Sequence, residues 1–161
     1  MKKSRERGFT LMEILIVLGI IAILAGVVII AINPSKQFAQ ARNTQRQSNV
    51  EQILNAIGQR MTDNKGIFEG TFTASDTIYT CPAINASSSI TYEGGAGSMS
   101  AGDLSCLVPT YLAAFPTDPS VASGSDTGYD VSMVQGRVQV CADNAATETS
   151  VPNAGAICVK R

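Results

Sequence analysis

An uncharged apolar segment runs from Ile14 to Ile32, close to the start of the chain. At about 1.5 Å per residue, a helix of this length crosses most of a hydrocarbon core of roughly 30 Å. Basic flanks of such a helix stay on the cytoplasmic side of a membrane. The residues before the segment are mostly basic, with Lys2, Lys3, Arg5 and Arg7. The sequence therefore predicts a single-pass membrane helix, with everything after Ile32 outside the cytoplasm.

One carboxylate, Glu13, stands at the head of this segment and follows Gly8-Phe9-Thr10-Leu11-Met12. A charged side chain at bilayer depth costs roughly 2.5–3.5 kcal/mol on insertion scales, so Glu13 is expected to have a partner or a role. Glycine followed by Phe-Thr-Leu-x-Glu resembles the processing site of type IV prepilins and their pseudopilin relatives. The detailed similarity covers the N-terminal part of the chain, and the remainder matches only the general pilin plan.

The resemblance implies that a membrane peptidase cuts between Gly8 and Phe9 and that the new amine of Phe9 is methylated. The mature chain would then begin directly with its apolar helix. An ordinary secretory signal peptide is the first alternative, but its apolar region is about 7–15 residues long and precedes an A-x-A-like site. The segment here is longer, and residues 31–33 are a poor match to such a site. A plain membrane anchor that never assembles is the second alternative.

Two interpretations of Glu13 stay open. A free amine on Phe9 is a cation at neutral pH, and residues four positions apart share one face of a helix, so the two groups can pair within one chain. The resemblance implies instead that Glu13 meets the Phe9 amine of a neighbouring subunit and sets the axial register during assembly. We favour the second interpretation, because an unpaired charge in an apolar environment is attracted strongly to its partner.

The composition indicates a chain that is not an enzyme. Histidine is absent, so the commonest general base and metal ligand is missing. The chain has no G-x-S-x-G, no H-E-x-x-H and no Walker-type glycine loop. The glycine cluster at 94–97 lacks the lysine of a phosphate loop, and we expect it to be a flexible turn.

All four cysteines follow the predicted membrane helix. An even count in an oxidising compartment suggests disulfides, with three possible connectivities. We expect Cys81 to pair with Cys106 and Cys141 with Cys158, because each pair closes one loop without crossing the other. The second bridge would pin the C-terminal loop, as the resemblance also implies. A zinc site and four buried thiols, in a host that does not oxidise its exported proteins, are the alternatives.

Asn33 and Pro34 interrupt the pattern where the apolar segment ends. Proline removes a hydrogen bond and disfavours helix before it, which predicts a kink or a melted turn. Alternatively, Pro34 begins a second helix with Asn33 as its cap. From Ser35 to about Asp63 the spacing of apolar residues predicts an amphipathic helix that ends near Gly66.

The faces of this second helix follow from its pattern. The buried face is predicted to contain Ile53, Leu54, Ile57 and Met61. A basic row, made of Lys36, Arg42 and Arg46, is predicted to face solvent or a neighbouring subunit, with nucleic-acid contact as a less favoured role.

The remainder of the chain predicts a β-rich head. Short strands are expected over 67–73 and 77–80, and a surface loop from Ala83 to Gly102 is the expected variable patch. Two alternating segments, 129–134 and 137–142, flank Gln135-Gly136 and predict a hairpin. One more strand is expected over 156–160, beside Cys141. The expected fold class is α+β, with a long N-terminal helix packed against a C-terminal antiparallel sheet, which is the pilin fold.

Acidic residues near the start of the hairpin resemble the calcium site of some major pseudopilins. The candidates are Asp118, Asp126 and Asp130, with the hydroxyl of Ser125, because calcium takes hard oxygen ligands from flexible loops. The alternative is that these carboxylates are simply solvated. Apart from this candidate, no cofactor is expected.

We divide the chain into a cleaved cytoplasmic leader at 1–8, a membrane and filament-core helix at 9–32, an amphipathic helix at 33–65 and an extracytoplasmic head at 66–161. Removal of the leader takes the formal charge from −1 to about −4. The head carries nine acids and three bases, which disfavours direct nucleic-acid binding.

The resulting hypothesis is a structural subunit of a type IV pilus-like filament that serves adhesion, motility or surface interaction. It resides in the bilayer before assembly and then at the cell surface. The resemblance implies a prepilin peptidase and methyltransferase, an inner-membrane platform protein and an assembly ATPase as partners. A type II secretion pseudopilin, located in the periplasm, and a monomeric membrane-anchored binding domain are the alternatives.

Overall fold

The computed structural model describes residues 8–85, 87–98, 100–121 and 124–161. Within these ranges the chain forms two long helices followed by six short strands. It divides into two compact units, with the boundary between Gln37 and Phe38. The class is α+β, as the sequence predicts. Residues 1–7 of the predicted leader, and residues 86 and 99 of the predicted surface loop, lie outside the described residues.

Helix α1 spans Leu11–Ala31 and consists almost entirely of Leu, Ile, Val, Ala and Gly. Its N-cap residue is Thr10, in extended conformation, and it ends where Ile32 becomes extended. An 18-residue window of the helix has a mean hydropathy of 3.3, and none of the 21 residues is buried within the chain. At about 1.5 Å per residue the helix is roughly 30 Å long, which matches the hydrocarbon core of a bilayer.

Helix α2 spans Pro34–Asp63. The side-chain oxygen of Asn33 accepts a hydrogen bond from the backbone N–H of Lys36, at 3.3 Å, which is the geometry of an N-cap with proline in the first helical position. This confirms the second interpretation of Asn33 and Pro34. At the other end, the N–H of Gly66 bonds to the carbonyl of Met61, at 2.7 Å, and Gly66 has a φ of 90° that favours glycine.

A four-stranded antiparallel sheet lies in the unit that begins at Phe38. Its strand order is β3-β4-β5-β6, and the strands are β3 (Ser88–Thr91), β4 (Asp126–Val134), β5 (Arg137–Ala142) and β6 (Ile157–Lys160). The turn between β4 and β5 has positive φ at Gln135 and Gly136, which is the type I′ geometry that suits a two-residue hairpin. The predicted hairpin and the last strand, with Cys158 opposite Cys141, are confirmed.

A separate hairpin pairs β1 (Gly70–Ala74) with β2 (Thr77–Cys81). The first of these strands begins three residues after the predicted start, at Gly70 instead of Ile67. Its turn residues, Ser75 and Asp76, both have positive φ, as a type I′ turn requires.

Strand β3 corrects the prediction that 83–102 is entirely a surface loop. Ile90, the one large apolar residue of β3, is fully buried in the core. The strand is held by pairing with β4, and Thr127 on β4 donates a side-chain hydrogen bond to the carbonyl of Ile90. A four-residue strand rich in serine has weak local signal, so this pairing with a distant strand decides its conformation.

The core of this unit lies between α2 and the inner face of the sheet. Helix α2 contributes Val50, Ile53, Leu54 and Ile57, all buried, and Met61 packs against them. Alternate residues of the hairpin complete it, with Tyr129, Val131, Val138 and Val140. The predicted apolar face of α2 is therefore confirmed.

Candidate processing and assembly site

The bond between Gly8 and Phe9 lies in non-helical backbone directly before α1. Phe9 is 84% exposed, and among the described residues no heavy atom beyond the chain neighbours of Gly8 lies within 4 Å of the position that a Cβ on Gly8 would occupy. Exposed, irregular backbone of this kind is what a peptidase can bind in its cleft. A glycine before the bond also presents no side chain to the enzyme.

Thr10 and Glu13 form a capping box at the start of α1. The Thr10 hydroxyl accepts from the N–H of Glu13 at 3.3 Å, and the Glu13 carboxylate accepts from the N–H of Thr10 at 3.0 Å. The hydroxyl of Thr10 also donates to the same carboxylate oxygen. These bonds satisfy backbone donors that the first turn of a helix leaves without partners, and they fix the helix start two residues after the Gly8–Phe9 bond.

Glu13 is the one charged residue of α1. Both oxygens of a carboxylate can accept several hydrogen bonds, and the bonds described above use Oε2. The other oxygen of Glu13 accepts no hydrogen bond from the part of the chain that the structure describes, so the carboxylate retains capacity for a further cation. The sequence analysis placed both residues in the processing motif but did not predict the capping box, although Thr-x-x-Glu is its signature.

A cluster of charged and polar side chains surrounds Arg46, on the sheet-facing side of α2. Its Nε donates to Oδ2 of Asp118 at 2.7 Å, and its Nη1 donates to Oε1 of Glu148 at 2.7 Å. The same Nη1 donates to Asn43, and Nη2 donates to Asp118 at 3.1 Å and to Ser120. All five N–H groups of this guanidinium therefore have acceptors. We call Arg42, Arg46, Asp118, Ser120 and Glu148 the head clasp.

Arg42 extends the head clasp toward the start of α2. Its Nε and Nη2 donate to the two carboxylate oxygens of Glu148, at 2.7 and 2.6 Å, in a bidentate pair. Hydrogen bonds from Arg42 and then from Arg46 lower the pKa of Glu148 to about 2. Burial by itself would raise the pKa of Asp118, but the hydrogen bonds from Arg46 and Ser120 outweigh it, and the net effect lowers that pKa.

The position of Arg46 corrects a prediction. The sequence pattern assigned it, with Lys36 and Arg42, to a face toward solvent or a neighbouring subunit, but Arg46 is fully buried. The reason is that its two carboxylate partners come from distant loops, 72 and 102 positions further along the chain. Helical periodicity carries no information about such partners, so this cluster could not be found from the sequence alone.

A second buried arginine, Arg60, lies near the other end of α2. It is 3% exposed, and its Nε and Nη2 have no hydrogen-bond partner among the described residues. Its guanidinium carbon stands 4.6 Å from the centre of the Phe72 ring, which is a cation–π contact. Sequence reasoning gave no role to this residue.

The three calcium candidates are placed in different environments. Asp118 belongs to the head clasp and is 2% exposed. Asp126 accepts from the Ser89 hydroxyl at 3.1 Å and from the N–H of Gly128 at 2.9 Å. Burial, followed by the nearby charge of Asp143, raises the pKa of Asp130. A calcium site at these residues stays a prediction at this point.

The four cysteines lie in two pairs at disulfide distance. The sulfurs of Cys81 and Cys106 are 2.09 Å apart and join β2 to the short 3₁₀ helix Ser105–Leu107. The sulfurs of Cys141 and Cys158 are 2.11 Å apart and join β5 to β6. This is the pairing that we expected from the sequence, in which the two closed loops do not cross.

A family model for the prokaryotic N-terminal methylation motif matches residues 3–29, which is the signature of type IV pilins and pseudopilins. The match covers the basic segment, the Gly8–Phe9 bond, Glu13 and most of α1. No curated protein and no solved structure matches the chain. The motif supports a precursor of the type IV pilin or pseudopilin class, and α1 has the length and hydropathy of a membrane anchor.

Proposed function

We propose that this chain, a precursor of the type IV pilin and pseudopilin class, is cut between Gly8 and Phe9 and assembled into a pilus-like helical filament through α1. One observation carries the proposal. An accessible, irregular Gly8–Phe9 bond stands directly before a capped apolar helix whose one charge is Glu13. Cleavage turns the amide nitrogen of Phe9 into a free amine, four residues from that carboxylate.

The unpaired capacity of Glu13 supports a role between subunits. In a bundle of apolar helices, contacts among Ile, Leu and Val side chains give attraction but little preference for one axial position. A carboxylate on one helix and an amine on the next attract strongly in a medium of low dielectric constant, and the attraction selects one offset. The same contact repeated head to tail is heterologous and does not close, so it generates an open helical filament.

The filament proposal includes the partners and the location that the motif suggests. A prepilin peptidase and methyltransferase would process the chain, and a platform protein with an assembly ATPase would move subunits from the bilayer into the filament. We assign the filament to the cell surface as a pilus, with adhesion or motility as its output. The serine- and glycine-rich segments of the head and its two cysteine pairs suit exposure to the medium. A periplasmic secretion pseudopilus is the second candidate.

Processing is tested first by the N-terminal mass of the protein recovered from cells that contain a prepilin peptidase. The native chain should begin at a methylated Phe9, and Gly8→Ala should leave the precursor uncut. Gly19→Ala is the matched control, because Gly19 also has open space around its Cβ position but lies inside α1. A native chain that retains Met1 would contradict the proposal.

Assembly is tested with Glu13→Gln. Glutamine can still accept the hydrogen bonds of a capping box, so the helix start is preserved while the charge is lost. The variant should insert into membranes and be cut normally, but it should form no filaments under the electron microscope. Normal filaments from Glu13→Gln would show that the charge does not set the register. They would also favour an assembly in which Glu13 pairs within its own chain.

A monomeric membrane-anchored domain is separated from the filament proposal by the same two experiments. It predicts that the native chain forms no filaments when the assembly machinery is present, whatever residue occupies position 13. A pilus is distinguished from a secretion pseudopilus by location, since surface shearing releases the first and leaves the second in the periplasm.

A further inference from the structure

Calcium requires oxygen ligands that converge. The ion takes six to eight oxygen ligands at about 2.3–2.6 Å, from carboxylates, carbonyls and waters, so carboxylates that share a site must approach one point with lone pairs to spare. Among the described residues, one triad of potential ligands has donor atoms within 4.8 Å of one another, and it consists of Cys141, Asp143 and Cys158. Its two sulfurs are joined as a disulfide. The three candidate aspartates thus form no such cluster.

The lone pairs of Asp118 are already used. Its Oδ1 accepts from the N–H of Ser120 at 2.8 Å, from the Ser120 hydroxyl at 2.6 Å and from Nη2 of Arg46. Its Oδ2 accepts from Nε of Arg46 at 2.7 Å. A calcium ion on Asp118 would have to displace a buried guanidinium that forms charge-assisted bonds to both oxygens. The residues present therefore do not fit the calcium site that the resemblance suggested.

Arg46 joins three segments of the chain through its hydrogen bonds. Its guanidinium is the buried positive charge between two carboxylates, and it ties α2 to two separate loops of the head. One loop carries Asp118 and Ser120, and the backbone N–H of Asp118 also bonds to the carbonyl of Thr127 near the start of β4. The other loop carries Glu148, directly after the 3₁₀ helix Asp143–Thr147.

We infer that Arg46 is a built-in cation that replaces a divalent ion in this head, so that the head folds and remains folded without calcium. Asp118 and Glu148 are, on this assignment, partners of the guanidinium and not metal ligands. The inference concerns the stability of the head and is independent of whether the chain assembles into a pilus or a pseudopilus.

The test compares thermal unfolding of the full-length chain in detergent, followed by circular dichroism, with a chelator and with about 10 mM calcium. This concentration exceeds the dissociation constants of roughly 10⁻⁴–10⁻³ M of extracellular calcium modules. The two melting temperatures should agree within about 2 °C, since a ligand bound to the folded state well above its dissociation constant would raise the melting temperature by about 4–8 °C or more. A saturable rise with calcium overturns the inference.

Two substitutions separate the head clasp from the calcium candidates. Glu148→Gln alters a residue of the head clasp that was never a calcium candidate, and Asp130→Asn alters a calcium candidate outside the head clasp. Glu148→Gln should lower the melting temperature in chelator by at least about 8 °C, and Asp130→Asn should leave it unchanged or slightly raised. Equal and small changes in melting temperature for the two variants would overturn the assignment. If Glu148→Gln does not fold in detergent, the calcium response of the native chain decides alone.

Discussion

At the scale of single residues, the two buried arginines of α2 show what a charge needs in the interior of a protein. Arg46 satisfies every donor and faces two carboxylates, whereas Arg60 has a ring face as its neighbour and two nitrogens without partners among the described residues. Removing one member of a buried ion pair leaves the other charge uncompensated, which costs about 3–5 kcal/mol. Removing a buried cation that has no carboxylate partner among the described residues leaves no charge uncompensated and relieves a desolvation cost instead.

Substitution of each arginine by methionine should therefore have different effects on stability. Methionine keeps most of the length and apolar surface of the side chain, so packing changes little. Arg46→Met should lower the free energy of unfolding by about 3–5 kcal/mol. Arg60→Met should change it by less than about 1 kcal/mol or raise it. Urea unfolding of both variants checks the prediction, and equal losses would contradict it.

The head clasp should also make the protein sensitive to acid. The folded-state pKa of Glu148 lies near 2, below the ordinary value of 4.5, and that of Asp118 is lowered too. A carboxylate with a depressed pKa contributes stability that is present above its unfolded pKa and is lost as the pH falls toward its folded pKa. The melting temperature should therefore fall between about pH 4.5 and pH 2.

Two substitutions test whether Glu148 causes this fall in melting temperature at low pH. Glu148→Gln removes one of the titrating groups, so its melting temperature should depend less steeply on pH over the same range. Glu51→Gln changes an exposed glutamate of α2 and should retain the native profile. Parallel profiles for the native chain and Glu148→Gln would show that the pair with Arg42 and Arg46 does not form in solution.

At the scale of elements, the sequence predicted those structures whose signals are local. The apolar segment predicted α1, Gly66 predicted the end of α2, and Gln135-Gly136 predicted the central hairpin. The cap at Asn33-Pro34 was one of two alternatives that the sequence left open. Strand β3 was not predicted, because four residues with one large apolar side chain have no local pattern that distinguishes a strand from a loop. The burial of Arg46 was not predicted either, because its partners are distant in the sequence.

Strand β4 contains a glycine whose conformation is tied to the head clasp. Gly128 has a φ of 77°, and a Cβ there would lie within 2.7 Å of the Cβ of Asp118 and of a Val121 methyl. Gly128→Ala should therefore cost more than the roughly 1–2 kcal/mol of backbone strain alone. Gly136→Ala is the control, because Gly136 has a similar φ but open space around it. Thermal unfolding should rank the native chain, Gly136→Ala and Gly128→Ala in descending stability.

At the scale of the whole molecule, the chain combines an apolar helix for the membrane with an acidic head. The N-terminal motif, visible in the sequence, was enough to predict the class of precursor and the membrane-length helix, and cleavage of the Gly8–Phe9 bond stays a prediction. The same sequence left the arrangement of the head open, because the head is held by contacts between segments that are far apart. These contacts are the sheet pairing of β3, the head clasp and the two cysteine pairs.

The cysteine pairs should stabilise the head to different degrees under oxidising conditions. A crosslink that closes a loop of about 15–25 residues typically contributes about 2–4 kcal/mol by restricting the unfolded chain. Replacing both Cys81 and Cys106 by serine should lower the melting temperature more than replacing Cys141 and Cys158, because the first pair is fully buried in the core. Differential scanning calorimetry of the two double variants checks this order, which the reverse ranking would contradict.

The place of the head clasp along α2 determines how a subunit responds to force. A pull applied through α1 enters the second unit at Phe38, and the bidentate pair between Arg42 and Glu148 is the first charged contact that it meets there. Arg46 follows one turn later. Tension must shear these bonds, which are directional and share the Glu148 carboxylate, before it reaches the main apolar core, to which α2 contributes from Val50 onward. We therefore expect the head to unfold in a single abrupt step under load, because the ion pairs of the two arginines must break before the rest of the head can unfold.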